Sequence, residues 1–311
     1  MTTTINTTFL PLWKCVLMVA GCMIPISLVH AQTYSFTIED TERSYIVHLP
    51  TSYLEGKKYP LVFNFHGMGS SAKKEELFTE MDIVADKEQF IVVYPQAYHN
   101  TWNTGLGFKS YRHGKNDIGF INQLLDTLIH RYRIDTQRIY SVGVSLGGFF
   151  NYRVGCELSH RIAAIASVSG LMTDSTMAFC YPSRDIPVLH FHGTHDRIMK
   201  YKGVKQCLGV EETVNLWVLR NHCKTPGDTI HIPDICPEDK STVDLIKYSH
   251  SADGAEVWYY KIYKGGHTWP GGGKQHKMMG RKNRDINASE AVWEFFKKFT
   301  LQTGTVNFTN Q

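Results

Sequence analysis

Hydrophobic positions along the chain fall into two interleaved patterns. Short runs rich in Val, Ile, Phe and Tyr occupy residues 34–38, 45–49, 61–65, 90–94, 138–142, 162–168, 188–191 and 257–263. The first two alternate apolar with polar residues, and the polar stretch 39–42 between them predicts a hairpin. Several later runs are continuously apolar, as strands are when a parallel sheet is covered on both faces. Apolar residues at helical spacing predict helices over 75–86, 120–131, 146–157, 210–221 and 288–299. Asp117 stands near the start of the second as a cap, and Asn287 with Glu290 precedes the last in capping-box spacing. Strands alternating with helices predict an α/β fold: a mostly parallel central sheet with helices on both faces. Residues 223–248 break that rhythm with Pro, Asp and Gly and read as an irregular insertion, not a second domain.

The first 31 residues do not fit this pattern. They carry one charged side chain, Lys14, then an apolar run over 15–29 interrupted by Pro25, and end on Val29-His30-Ala31. That is a secretory signal with cleavage after Ala31. The run falls short of the roughly 20 apolar residues a membrane span needs, so no stable membrane insertion is expected. Val19-Ala20-Gly21-Cys22 is a rival reading as a lipoprotein site acylated at Cys22, and a retained anchor is a third. The expected location is secreted or periplasmic, with residues 32–311 as one domain.

The composition is that of an ordinary globular protein, with 311 residues, 42% of them hydrophobic and 20% charged. A formal charge of +4 is too small a bias to imply nucleic-acid binding. Seven cysteines are present, two of them within the leader. The other five, Cys156, Cys180, Cys207, Cys223 and Cys236, show no paired CxxC spacing, so neither a zinc site nor any other metal or cofactor is expected.

Gly143-Val144-Ser145-Leu146-Gly147 matches G-x-S-x-G between a predicted strand and a predicted helix, the context this motif requires. A tight turn there presents a serine hydroxyl at the carboxyl end of the sheet, beside the positive end of a helix. Such a hydroxyl needs a base, and in this arrangement the acid and then the histidine follow in chain order. His267, framed by Gly265-Gly266 and directly after the last strand, is the candidate base. Asp196 follows the 188–191 strand and is the candidate acid that holds the imidazole tautomer. Asp234, Asp239 and Asp244 are alternatives within the irregular segment. The oxyanion requires two donors. One is the backbone N–H of Leu146, and the other comes from His66-Gly67-Met68-Gly69, with Met68 favoured over Gly67 and Gly69. His66 itself reads as a structural member of that turn.

The motifs together resemble the polyhydroxybutyrate depolymerase and feruloyl esterase group, similar to carbohydrate esterase family 1. The resemblance rests on Phe63-Asn64-Phe65-His66-Gly67, the run from Ala85 to Tyr94-Pro95, Asp117-Ile118-Gly119-Phe120 and residues 143–148. It also rests on His190-Phe191-His192-Gly193-Thr194 and Gly266-His267-Thr268-Trp269-Pro270-Gly271. It covers about 45–299 and implies an α/β-hydrolase fold, no metal, and ester hydrolysis through an acyl-serine. Two departures stand out. Residues 102–115 carry extra glycines and basic residues, and the cysteine expected near Tyr248 is absent, with Cys236 as its substitute. Cys156 ends the helix after the serine and Cys180 precedes the next strand, so these two are expected to pair. Cys223 with Cys236 is the second expected pair, leaving Cys207 free.

Trp102 and Trp269 are candidate substrate contacts. The basic run Lys274-Gln275-His276-Lys277, continued by Arg281, Lys282 and Arg284, reads as a solvated mobile loop or as a recruiter of anionic polysaccharide. The leading expectation is a serine esterase for feruloyl or acetyl esters of plant polysaccharide, so the expected partner is a polysaccharide-linked or oligomeric ester. The alternatives are a short-chain polyhydroxyalkanoate depolymerase and, from another class, a non-catalytic carbohydrate-binding protein. A complete Ser, Asp and His set argues against the last.

Overall fold

A computed structural model of the chain describes residues 32–106, 112–249 and 254–301. The leader, with both of its cleavage readings, lies outside the described residues. Among the described residues ten strands form one sheet: β1 Gln32–Ile38, β2 Thr41–His48, β3 Tyr59–Phe65, β4 Ile91–Pro95, β5 Ile134–Val144, β6 Ala164–Val168, β7 Val188–Gly193, β8 Asp228–Ile232, β9 Thr242–Tyr248 and β10 Val257–Tyr263. Their spatial order is β1-β2-β4-β3-β5-β6-β7-β10-β9-β8. The hairpin β1–β2 and the pair β8–β9 sit antiparallel at the two edges, while β4, β3, β5, β6, β7 and β10 run parallel between them.

The continuous apolar strands divide between two cores by the two-residue period of the pleat. Leu61, Phe63 and Phe65 face one layer, with Ile91 and Val93. There they meet α3 (Asp117–Arg131), α4 (Leu146–Glu157) and α6 (Val210–Arg220) through Phe120, Leu124, Phe150 and Trp217. Val62, Val92, Tyr94, Tyr140 and Val142 face the other layer. It is covered by α1 (Ala72–Thr79), α2 (Met81–Glu88) and α7 (Ala288–Phe296) through Val84, Ala85, Trp293 and Phe296. Helix α4 is buried on all sides from Leu146 to Cys156, as expected of a helix that leaves the middle of the sheet.

The elements and their caps depart from the sequence reading in five places. The helix expected over 75–86 is two helices, broken at Glu80 in a left-handed conformation (φ 51°). Ending α1 there releases the Phe78 and Thr79 carbonyls to accept from Gly273 N (2.9 Å) and Ser289 Oγ (2.6 Å). Asp117 does not cap α3; Asn116 does, accepting from Gly119 N at 2.9 Å. Asp117 turns inward to pair with Arg43 at 2.7 Å and to accept from Asn103 N at 2.6 Å. Residues 223–248 are not irregular, since they supply β8 and β9. The sequence conceals β8 because its residues are exposed but for the last, so no apolar run marks it. At α7 only half of the capping box forms. Asn287 accepts from Ser289 N and Glu290 N, while Glu290 faces Lys87 at 3.6 Å. A short helix, α5 (Asp174–Ala178), has no counterpart in the sequence reading.

Cys156 and Cys180 form the expected disulfide, Cα to Cα 4.8 Å. The second expected pair is absent: Cys223 and Cys236 are free thiols, as is Cys207. Cys223 Sγ faces the Ala255 carbonyl at the start of β10, whereas Cys236 Sγ faces Glu238 beyond the β8 end, so the strand between them holds the two apart.

Candidate active site

Ser145 stands where β5 ends and α4 begins, at φ 53° and ψ −122°. That positive φ is unusual for a residue with a side chain and marks a turn held by its surroundings. The Ser145 amide is fixed to the Val168 carbonyl at 2.8 Å, and Phe149 N makes the first helical bond back to Ser145 O. The Leu146 amide therefore precedes the hydrogen-bond ladder of α4, at the positive end of the helix. Gly147 has no room for a side chain: a Cβ there would run into the Phe65 carbonyl. The motif glycine thus lets α4 approach the end of β3.

That approach brings the β3 loop beside the serine. A Cβ added at Gly67 would lie 3.4 Å from Ser145 Cβ and 3.9 Å from its Oγ. The loop is held from several sides. Gly69 N donates to Asn100 O, Ser70 N to Gly67 O, and Trp102 Nε1 to His66 O at 2.9 Å. His66 is fully buried, and burial lowers its pKa to about 4. It is a neutral, structural member of the turn, as its place in the sequence suggested.

Asp196 follows β7 and His267 follows β10, the strand paired in parallel with β7. Both are buried, and His267 Nδ1 donates to Asp196 Oδ2 at 2.7 Å. The other carboxylate oxygen accepts from Ile198 N and Met199 N, each at 2.8 Å. His192, one turn of chain earlier, lies with Nε2 3.5 Å from Asp196 Oδ2 and donates to the Met199 carbonyl at 2.8 Å. Desolvation lowers the His192 pKa to about 4, so the ring is a neutral prop for the acid loop. Its signal in the sequence was the His190-Phe191-His192-Gly193 motif. The His267 backbone is anchored in turn, its N–H donating to Met279 O at 2.7 Å.

Ser145, Asp196 and His267 therefore follow β5, β7 and β10 at one carboxyl edge. Of the alternative acids, Asp234 is exposed, Asp239 accepts from Ser241 and Arg284 N, and Asp244 from His231 and Tyr263. The two tryptophans expected to contact substrate are both buried, with each indole N–H bonded inside the protein. Trp269 is fully buried and donates from Nε1 to Ser289 Oγ at 3.1 Å, tying the His267 loop to α7. Trp102 is 2% exposed and stacks on Phe150 at 4.8 Å beneath the His66 turn. In the basic run, Lys274, His276 and Lys277 are exposed. Lys282 is not freely solvated: its ammonium donates to the Gly272 and Gly273 carbonyls at 2.6 and 2.7 Å. Among the described residues no group of three or more His, Cys, Asp or Glu is placed to hold a metal ion, and no helix is long and apolar enough to cross a membrane.

Among curated relatives, a bifunctional acetylxylan esterase/xylanase of Neocallimastix patriciarum is 28% identical over 78% of this chain and 31% of its own length. Feruloyl esterase B of Piromyces equi is 25% identical over 83% and 46%. The chain thus spans less than half the length of these two relatives. Feruloyl esterase D of Neurospora crassa is 24% identical over 90% of both chains. Among solved structures, an acetyl xylan esterase from Aspergillus awamori superposes with a TM-score of 0.60 at 14% identity, covering 86% of this chain and 99% of that one. A ferulic acid esterase from Anaeromyces mucronatus gives 0.55 at 16% identity, covering 88% and 90%. These two share the α/β-hydrolase fold with this chain. The model of the putative esterase family matches residues 37–221, more than half of the sequence, and the chain belongs to that family.

Proposed function

We propose that the protein is a serine carboxylic-ester hydrolase acting on feruloyl or acetyl esters of plant polysaccharide, and that it is exported. The observation that carries the reading is the buried 2.7 Å bond from His267 Nδ1 to Asp196 Oδ2, at the sheet edge where Ser145 occupies a positive-φ turn. With Nδ1 committed to the carboxylate, Nε2 is the nitrogen left to take a proton. As Ser145 Oγ attacks the ester carbonyl, its proton passes to His267 Nε2. The resulting oxyanion accepts from the amides of Leu146 and Met68. Collapse expels the alcohol, which takes the proton from the imidazolium and leaves an acyl-serine. Water then repeats the sequence, giving up its proton to His267 and releasing the acid. The relatives named above for acetylxylan and feruloyl ester cleavage support the substrate class.

Two measurements test the reading on the purified chain. Ser145→Ala is expected to lower kcat on an aryl acetate by about 10⁴-fold or more while the fold persists. A substrate panel of methyl ferulate, acetylated xylan and hydroxybutyrate oligomers then assigns the ester. Turnover of the first two is expected. Preference for the oligomers makes the protein a polyester depolymerase, and near-normal turnover by folded Ser145→Ala removes Ser145 from the chemistry.

A further inference from the structure

A cleft lies at the opposite end of the sheet from Ser145. It has a volume of about 550 Å³ and opens to solvent between the start of β1, the loop after β2 and the segment joining α3 to β5. That size is within the range of small-molecule sites. Its position follows from topology. Arg131, Tyr132 and Arg133 lead into the amino end of β5, whereas Ser145 follows its carboxyl end. Ile134 and Gly143 pair with Tyr59 and Phe65 of β3, so at about 3.3 Å per strand residue the two ends of β5 are roughly 20 Å apart.

The lining is aromatic and cationic. Tyr34, Tyr53 and Tyr132 are half-buried, and Arg131, Arg133 and Glu55 are exposed. The rings are fixed in place. Tyr53 stacks on Tyr59 at 5.0 Å and meets Tyr132 edge-on at 6.5 Å, and the Tyr132 hydroxyl bonds Tyr34 Oη at 3.3 Å. Arg131 lies over the Tyr34 ring at 3.9 Å. Neither Arg131 nor Arg133 makes an ion pair among the described residues. Two guanidinium groups against one carboxylate leave the cleft with a surplus of positive charge. Preordered tyrosines offer an apolar face to the C–H side of a pyranose ring and hydroxyls to its rim. Arginine suits a carboxylate through its paired donors.

We infer that this cleft is a second polysaccharide-binding site, for a pyranose chain bearing uronate carboxylates. The inference rests on the polysaccharide reading of the catalytic edge and adds to it a class of polymer. A site this far from the serine does not touch the ester being cleaved. It holds the same chain at a distance and raises the local concentration of esters at the active edge.

Affinity electrophoresis in soluble glucuronoxylan tests it, using Ser145→Ala so that binding is read without turnover. Retardation is expected, and Arg133→Glu and Tyr53→Ala in that background are each expected to weaken it at least tenfold. Added salt is expected to reduce it. In the active protein the same two variants should keep aryl acetate turnover within about twofold and lose activity on acetylated glucuronoxylan at low polymer concentration. Arg133→Glu has an exposed side chain and serves if Tyr53→Ala fails to fold. Equal retardation of Arg133→Glu and its parent overturns the inference, as does equal retardation in an uncharged xylan. Retardation with no esterase activity in the parent protein leaves this site standing and removes the proposed function instead.

Discussion

The imidazole of His66 donates from Nδ1 to the carbonyl oxygen of Gly67, its neighbour in the chain, at 2.8 Å. The proton is on Nδ1 because Nε2 accepts the Ala97 N–H at 3.1 Å, and an amide N–H only donates. Gln96 Nε2 points to the same Nε2 at 3.2 Å. The Gly67 carbonyl also accepts from Ser70 N at 3.1 Å. In a trans peptide the carbonyl and the following N–H point in opposite directions. Fixing Gly67 O therefore aims the Met68 N–H, the proposed second oxyanion donor, away from His66. His66→Ala is expected to free this peptide and lower kcat by about 10²-fold with KM little changed, because an oxyanion donor acts on the transition state. Steady-state kinetics on an aryl acetate decides it. A rise in KM at constant kcat would assign the loop to substrate binding instead.

Asp196→Asn carries the second expectation. The carboxylate accepts from three donors: two backbone amides on one oxygen and His267 Nδ1 on the other. A carboxamide has only one acceptor oxygen. It must present its NH₂ either to the amides or to the imidazole, and the second choice moves the histidine proton to Nε2. The expected loss is about 10⁴-fold in kcat, the size found when a triad acid is replaced by its amide. A variant that retains a tenth of the parental kcat would show that Asp196 does not orient the base.

The placement of these residues was legible in the sequence to different degrees, for physical reasons. The turn at Ser145 was readable because its geometry is local: the flanking glycines and the following helix lie within a few residues. That Asp196 and His267 each follow an apolar parallel strand was readable from order alone. Tertiary bonds hid the rest. The break at Glu80 interrupts a helical pattern to release two carbonyls to residues about 200 positions away, which no local period encodes. Trp102 and Trp269 resemble binding residues by composition and proximity, yet each indole N–H is spent inside the protein. Edge strand β8 is hidden in the sequence because an exposed strand carries no hydrophobic signature.

The Cys156–Cys180 bridge closes a loop of sequence separation 24 that runs through β6 and α5. By chain-entropy arguments a loop of this size contributes about 3 kcal/mol. Cys180→Ser is expected to lower the melting temperature by several degrees, read by thermal unfolding at fixed pH. Peptide mapping without reduction should find Cys207, Cys223 and Cys236 as thiols. A bridge involving any of these three contradicts the geometry described here.

Acid sensitivity follows from the buried histidines. Burial lowers the pKa of His66 and of His192 to about 4 each, and that of His190 further. In the unfolded chain these imidazoles take up protons near pH 6.5. Between pH 6.5 and 4 the unfolded state therefore binds more protons than the folded one, and stability falls as pH falls through that window. At about 1.4 kcal/mol per pKa unit, His66 and His192 each withdraw roughly 3 kcal/mol by pH 4. Asp82 works the other way. Burial raises its pKa from 3.8 to about 6, against the attraction of His48 and the Tyr94 hydrogen bond and with Glu76 adding to the rise. The folded state thus gains a proton first, and stability rises as pH falls from about 6 to 4, offsetting part of the histidine loss. Asp82→Asn keeps an oxygen for the Tyr94 hydroxyl and removes that compensation. The melting temperature of the parent protein is expected to fall between pH 6.5 and 4, and that of Asp82→Asn to fall more steeply. A flat profile in the parent, or a shallower one in the variant, would contradict this assignment of the buried charges.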